Sequence, residues 1–186
     1  MIAYAQYGAW RAHQRIESGI VTTEARTKRC VIADDVRASR ELLSVWLGEF
    51  GYISVLAGDG ESARIAVESI SPDLVITDIE MPHCTGLELL FAIRNNVNPV
   101  LRVLPVIVIS SLEDDQLVQL VRPLGANCVL SKPLEKLVLK AAVESTEGQP
   151  ENWLLDDADK SPEDNAIVRS VSPKLRRLVD KLKNEF

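Results

Sequence analysis

At 186 residues with 46% hydrophobic side chains, the chain has room for one domain of ordinary size plus extensions, and enough apolar mass to bury a core. Its formal charge of -6 argues against a protein whose main business is gripping a phosphate backbone, so no direct nucleic-acid partner is expected. Three cysteines (Cys30, Cys84 and Cys128) are too few and too scattered for a disulfide framework and form no C-x-x-C pair for zinc, which excludes a small secreted scaffold and a zinc module.

In chain order, residues 1–27 are alanine-rich with Tyr4, Tyr7 and Trp10 interleaved, and both a helix and an unstructured start remain open there. Lys28 to Ala33 reads as a short buried strand. Val36 to Phe50 then places Leu42, Leu43, Trp46, Leu47 and Phe50 at helical spacing, and Gly51 supplies the left-handed exit. Tyr52 to Ala57 is a second strand. The stretch from Gly58 to Ser69 is a helix with Ala63, Ile65, Ala66 and Val67, and then Ile70, available to face a sheet, and Ser71-Pro72 breaks it. Asp73 to Asp78 is a third strand and Gly86 to Asn95 a third amphipathic helix, followed by a loop, NNVNPVLRVLP. Pro105 opens PVIVIS, a β-branched run expected of a central parallel strand covered on both faces. Glu113 to Val121 is helical until Pro123, Asn127 to Ser131 is a fifth strand, and Pro133 to Val143 is the last helix. Cys30 and Cys128 lie inside apolar runs and read as buried small hydrophobes.

Five strands alternating with five helices predict an α/β fold, a doubly wound parallel sheet with right-handed crossovers. In such sheets the site lies at the carboxyl ends of the strands. Asp34 and Asp35 follow the first strand, Asp78 ends the third and Lys132 closes the fifth, so three carboxylates and one ammonium should converge on one rim. A dinucleotide-binding domain would need a glycine-rich turn after the first strand, where this chain has ADDVRASR; acids there would repel a pyrophosphate.

The combination of ADD after strand one, VITDIEMPHCTG after strand three, VIVISS after strand four and LSKP after strand five resembles the receiver domain of two-component response regulators, over about residues 28 to 144. The resemblance implies a flavodoxin-like sheet of strand order 2-1-3-4-5. It implies Asp78 as phospho-acceptor, Asp34 and Asp35 as the acidic pair holding Mg2+ with Asp78 and the backbone carbonyl of Glu80, Ser110 as the switch hydroxyl and Lys132 as the phosphate-pairing lysine. Ser111 is a second candidate for contact with the phosphoryl group. Where many members carry Tyr or Phe as an aromatic switch, this chain has Val129, so a rotating ring is not expected. The chemistry agrees with this assignment: a carboxylate attacking a charged phosphoryl group needs its repulsion screened, and Mg2+ prefers oxygen ligands and keeps several waters. Implied partners are a sensor histidine kinase or phosphotransfer protein and a downstream protein target.

Taken singly, each residue has a plainer reading. Asp34 or Asp35 could be an N-cap, Asp78 a strand-ending turn residue, Lys132 a solvated lysine, Ser110 the start of a loop and Ser111 a helix cap. His83 receives no role, and His13 lacks the four-helix framework of a phosphorylated histidine. Two rival functions share the pattern: a haloacid-dehalogenase-type phosphohydrolase, for which a second aspartate would be expected at Glu80, and a binding module of the same fold that works without phosphorylation.

Residues 1–27 read as an N-terminal extension, 28–144 as the receiver unit, and 145–186 as an acidic linker and a short helix with Leu175, Leu178, Val179 and Leu182 on one face. That helix suits docking on the chain's own surface, a partner, or a homodimer contact. No apolar stretch reaches the roughly 20 residues that span a bilayer. The first twenty residues, interrupted by Gln6, Arg11 and Arg15, lack the apolar centre of a signal peptide. A cytoplasmic protein without membrane contact is expected, catalysing only its own modification.

Overall fold

The computed structural model describes residues 14–17, 20–23, 26–111 and 121–147. The predicted helix Glu113–Val121 apart from its last residue, most of the segment 1–27, and the linker and amphipathic helix beyond residue 147 lie outside the described residues. Within the N-terminal segment, β1 (Gln14–Glu17) and β2 (Ile20–Thr23) pair antiparallel.

Five further strands, β3 (Lys28–Ala33), β4 (Tyr52–Ala57), β5 (Leu74–Asp78), β6 (Val106–Ser110) and β7 (Cys128–Ser131), form one parallel sheet in the order β4-β3-β5-β6-β7. Counted among themselves they stand 2-1-3-4-5, the doubly wound order expected. Among the described residues the α-helices include α1 (Arg37–Glu49), α2 (Gly60–Ile70), α3 (Gly86–Arg94), the single turn α4 (Pro99–Arg102) and α5 (Lys136–Thr146), with a 3-10 turn at Arg122–Leu124. The two-residue period of the strands divides the core. Val31, Val75, Val106 and Val108 face α2 and α3 through Ala63, Val67, Leu87 and Leu90. Cys30, Ile32, Leu74, Ile76, Ile107 and Ile109 face α1 and α5 through Leu43, Leu47, Leu139 and Val143. β5 and β6 are buried along their whole length, as strands covered on both faces must be.

Several local readings change. Leu42 and Ile65, placed by spacing on the core side of their helices, are about half exposed, because the buried stripes run through Leu43 and Leu47 and through Ala63 and Val67. The stretch after α3, expected as a loop, contains α4: the Asn98 carboxamide oxygen accepts the Val100 N–H at 3.0 Å and Pro99 takes the first turn, where its missing N–H costs nothing. The last helix starts at Lys136 rather than Pro133, after an extended Glu135 and a cis Lys132–Pro133 peptide, and continues to Thr146. Cys30 is buried as expected, whereas Cys128 is only half-buried. Gly51 does adopt the left-handed conformation at the exit of α1, with φ 87°. Among the described residues no helix is long and apolar enough to cross a membrane.

A cation ties the base of the sheet. Arg94, the last residue of α3, is buried and donates to the Gly125 carbonyl at 2.8 and 2.6 Å, to the Arg102 and Leu104 carbonyls at 2.9 and 2.8 Å, and to Asn127 Oδ1 at 3.0 Å. Burial pushes the guanidinium down to about 9, so it stays protonated at neutral pH while its planar fork serves acceptors from two separate segments at once. Arg94→Ala should therefore lower stability by about 3 kcal/mol in urea unfolding, and Arg94→Lys should recover little, since one ammonium cannot match that fork. A loss under about 0.5 kcal/mol, the scale of ordinary surface substitutions, would contradict this account.

Candidate functional site

The strand order changes direction between β3 and β5, and at their carboxyl ends the topology opens a crevice. Asp34 follows β3, Asp78 ends β5, and Lys132 follows β7. The Lys132 ammonium donates to Asp34 Oδ2 at 2.9 Å and to Asp78 Oδ2 at 2.5 Å, so two acids that lie 98 and 54 positions before it in sequence share one proton donor. Asp34, Asp35 and Asp78 each offer a carboxylate oxygen within 4.8 Å of the other two. Asp34 and Asp78 are buried while Asp35 is exposed, which gives the cluster a solvent-facing side. An all-carboxylate donor set with room for water fits a hard divalent cation such as Mg2+.

Neither aspartate is the N-cap of α1. Val36 holds that position with an extended backbone and no side-chain cap bond. The Asp34 carboxylate instead accepts the Val36 N–H at 2.8 Å on Oδ1 and the Ser39 hydroxyl at 2.7 Å on Oδ2. Its backbone carbonyl accepts from the Arg40 guanidinium at 2.5 Å.

The segment after Asp78 is fixed by its own bonds. The Glu80 N–H donates to Asp78 Oδ1 at 3.3 Å, and the Ile79 carbonyl accepts from Gly86 at 3.1 Å. A Cβ at Gly86 would lie 2.0 Å from the Asp78 carbonyl oxygen, so α3 can begin this close to the end of β5 only with glycine. Thr85 and Glu88 then form a reciprocal capping box. Across the rim, β6 places Ile109 beside Asp78, and the buried Ser110 follows it. The Ser110 carbonyl accepts the Lys132 N–H at 2.8 Å, linking the ends of β6 and β7. Ser111 is exposed. Val129 lies opposite Val108 in β7, half-buried against the α2 and α3 side of the core, and brings no ring there.

Sequence reasoning missed Ser39, Arg40, Gly86 and Arg94. For Gly86 and Thr85 a signal existed, since T-G-L-E is a capping-box pattern. Ser39 stands five residues after Asp34, on the first turn of a helix that starts beside it, a spacing that brings the two together.

Electrostatically the cluster is unbalanced. Burial holds the Asp78 carboxyl above its usual range, and the bond from Lys132 only partly offsets that. For Lys132, burial works against the charge, but hydrogen bonds to Asp78 and Asp34 together outweigh it and raise the ammonium. The two directions agree physically: burial works against both charges, and the bond between them offsets it more fully for the lysine than for the acid.

Residues 30–144 match the family model of the response regulator receiver domain. The Regulator of RpoS from Escherichia coli K12 is 38% identical over 110 residues, covering 59% of this chain but 32% of that protein, so the match spans about a third of that relative's length. The Rhizobium etli protein named "Probable chemotaxis protein CheY" is 37% identical over 121 residues, covering 64% of this chain and 92% of that one. Among solved structures, the signal receiver domain of a signal transduction histidine kinase from Syntrophus aciditrophicus is 27% identical with a TM-score of 0.58, covering 72% of this chain and 96% of that one.

The raised Asp78 carboxyl fixes a sign. An acid whose folded pKa lies above its unfolded value favours folding while protonated, and that contribution is lost as pH rises through the folded pKa. In metal-free buffer, Asp78→Asn should thus unfold at higher denaturant than the parent at pH 7, with the difference shrinking as pH falls through the carboxylate range. A lower midpoint for the variant at pH 7 would refute the assignment of strain to this carboxylate.

Proposed function

Because the chain belongs to the response regulator receiver family over residues 30–144, we propose that it takes a phosphoryl group onto Asp78 from the phosphohistidine of a sensor kinase or phosphotransfer protein and passes the signal on through altered protein contacts. The observation that carries this reading is the Lys132 ammonium bonded at once to Asp34 and Asp78, which draws the ends of three strands into one acidic crevice. Residues 28–144 act as the receiver unit, with 1–27 and 145–186 as extensions.

In this reading Lys132 occupies Asp78 Oδ2, while among the described residues Oδ1 accepts only the long bond from the Glu80 N–H, which makes Oδ1 the less encumbered oxygen for attack. A new O–P bond forms as the P–N bond of the donor breaks, and the imidazole leaves with the electron pair. Asp34, Asp35, Asp78 and the Glu80 carbonyl would hold Mg2+, which supplies charge neutralisation for the incoming phosphoryl group. Lys132 can follow the transferred group by exchanging a carboxylate oxygen for a phosphoryl oxygen, because its three donors rotate freely on a flexible stem. Ser110, buried at the end of β6, is the hydroxyl in reach of that change through the segment it shares with Lys132. With Val129 in place of a ring, the response runs through the loop after Ser110 rather than an aromatic side chain.

Incubation with Mg2+ and acetyl phosphate, followed by intact-mass measurement, should give a single labile adduct on the parent chain and none on Asp78→Asn. Lys132→Ala should slow its formation by at least tenfold, since it leaves both carboxylates unneutralised. An adduct on both parent and Asp78→Asn, or steady phosphate release from small phosphoesters, would defeat the proposal, the latter in favour of a phosphohydrolase.

A further inference from the structure

Asp34 is held at more points than its place as one carboxylate among three requires. Oδ1 accepts the Val36 N–H at 2.8 Å, Oδ2 accepts both the Ser39 hydroxyl at 2.7 Å and the Lys132 ammonium at 2.9 Å, and the carbonyl accepts from Arg40. The side chain itself is 1% exposed. Ser39 is the third residue of α1, half-buried, and serves no cap: the N-cap position belongs to Val36, which makes no side-chain bond. Serine in a first helical turn ordinarily bonds to neighbouring backbone. Here its O–H is aimed across the turn at an acid instead.

The consequence is rotational. With the Val36 N–H on one oxygen and two donors on the other, the plane of the Asp34 carboxylate is fixed, and its remaining lone pairs are left for the side shared with Asp35 and Asp78. Were the Ser39 hydroxyl absent, Lys132 would be the one side-chain donor left on this carboxylate among the described residues, and nothing on the α1 side would hold Oδ2 against rotation of the carboxylate plane as the ammonium moves. Outer partners of this kind orient metal-binding carboxylates, and their removal typically weakens binding by about 10- to 100-fold. We propose that Ser39 is a positioning residue for divalent-cation binding, setting the Asp34 carboxylate in the orientation that Mg2+ requires. This rests on the reading of the acidic crevice as a Mg2+ site and extends it to a residue that touches neither metal nor phosphoryl group.

The test is thermal unfolding of the full chain across a Mg2+ titration, begun in EDTA, for the parent, Ser39→Ala and Ser39→Thr. Half-maximal stabilisation should need about tenfold more Mg2+ in Ser39→Ala, while Ser39→Thr, which keeps the hydroxyl, should stay within about twofold of the parent. The EDTA baseline reports any plain loss of fold, which does not move the half-saturation point. If Ser39→Ala fails to fold, Ser39→Cys, a similar size with a weak donor, takes its place in the comparison. Equal half-saturation in parent and Ser39→Ala would overturn the positioning role, as would Ser39→Thr behaving like Ser39→Ala. A parent chain indifferent to Mg2+ would instead overturn the metal-site reading beneath it.

Discussion

One ammonium group governs this crevice. The Lys132 Nζ lies against two carboxylates that belong to different strands, and a third acid stands beside them. Burial disfavours the charges of Asp78 and Lys132 separately, and their pairing offsets part of that cost. The sheet is what brings them there. Strand order places β3 and β5 side by side, and the chain returns through β6 to β7 before the lysine is delivered to the same rim.

The imbalance of three acids against one lysine is an energetic burden. The Asp78 carboxyl is held above its ordinary range because water has been removed from it, and the lysine cannot satisfy every neighbour. Perturbed carboxylates of this kind cluster at functional sites. The surrounding structure accepts this local cost by being over-determined around it: the Gly86 contact with the Asp78 carbonyl, the Thr85 and Glu88 capping box, and the bonds converging on Asp34 all hold backbone that charge repulsion would otherwise spread.

How far the sequence could be read follows from the range of the forces involved. The strands β5 and β6 were legible because burial on both faces demands an unbroken apolar run. The charged residues after β3, β5 and β7 were legible because strand ends in this architecture share a rim. The face of each helix was harder. Leu42 and Leu43 are adjacent and equally apolar, and only packing decides that Leu43 turns inward and Leu42 remains half exposed. The start of α5 was misplaced because proline is welcome in a first helical turn, a local preference that the extended backbone at Glu135 overrode. Arg94 was invisible for a related reason: an arginine at the end of an amphipathic helix looks solvated, and its acceptors at Arg102, Leu104 and Gly125 are unremarkable residues whose only contribution is a backbone oxygen.

That same arginine gives the sheet a mechanical asymmetry. The Asn127 side chain, one of its acceptors, also receives the N–H of Val106, so the feet of β6 and β7 are riveted to the end of α3. At the opposite tips the two strands are joined by the Ser110 carbonyl and the Lys132 N–H. A beam clamped at its base and loaded at its tip bends rather than slides. A displacement of the lysine would therefore act on the tips of β6 and β7, about a base that the arginine holds.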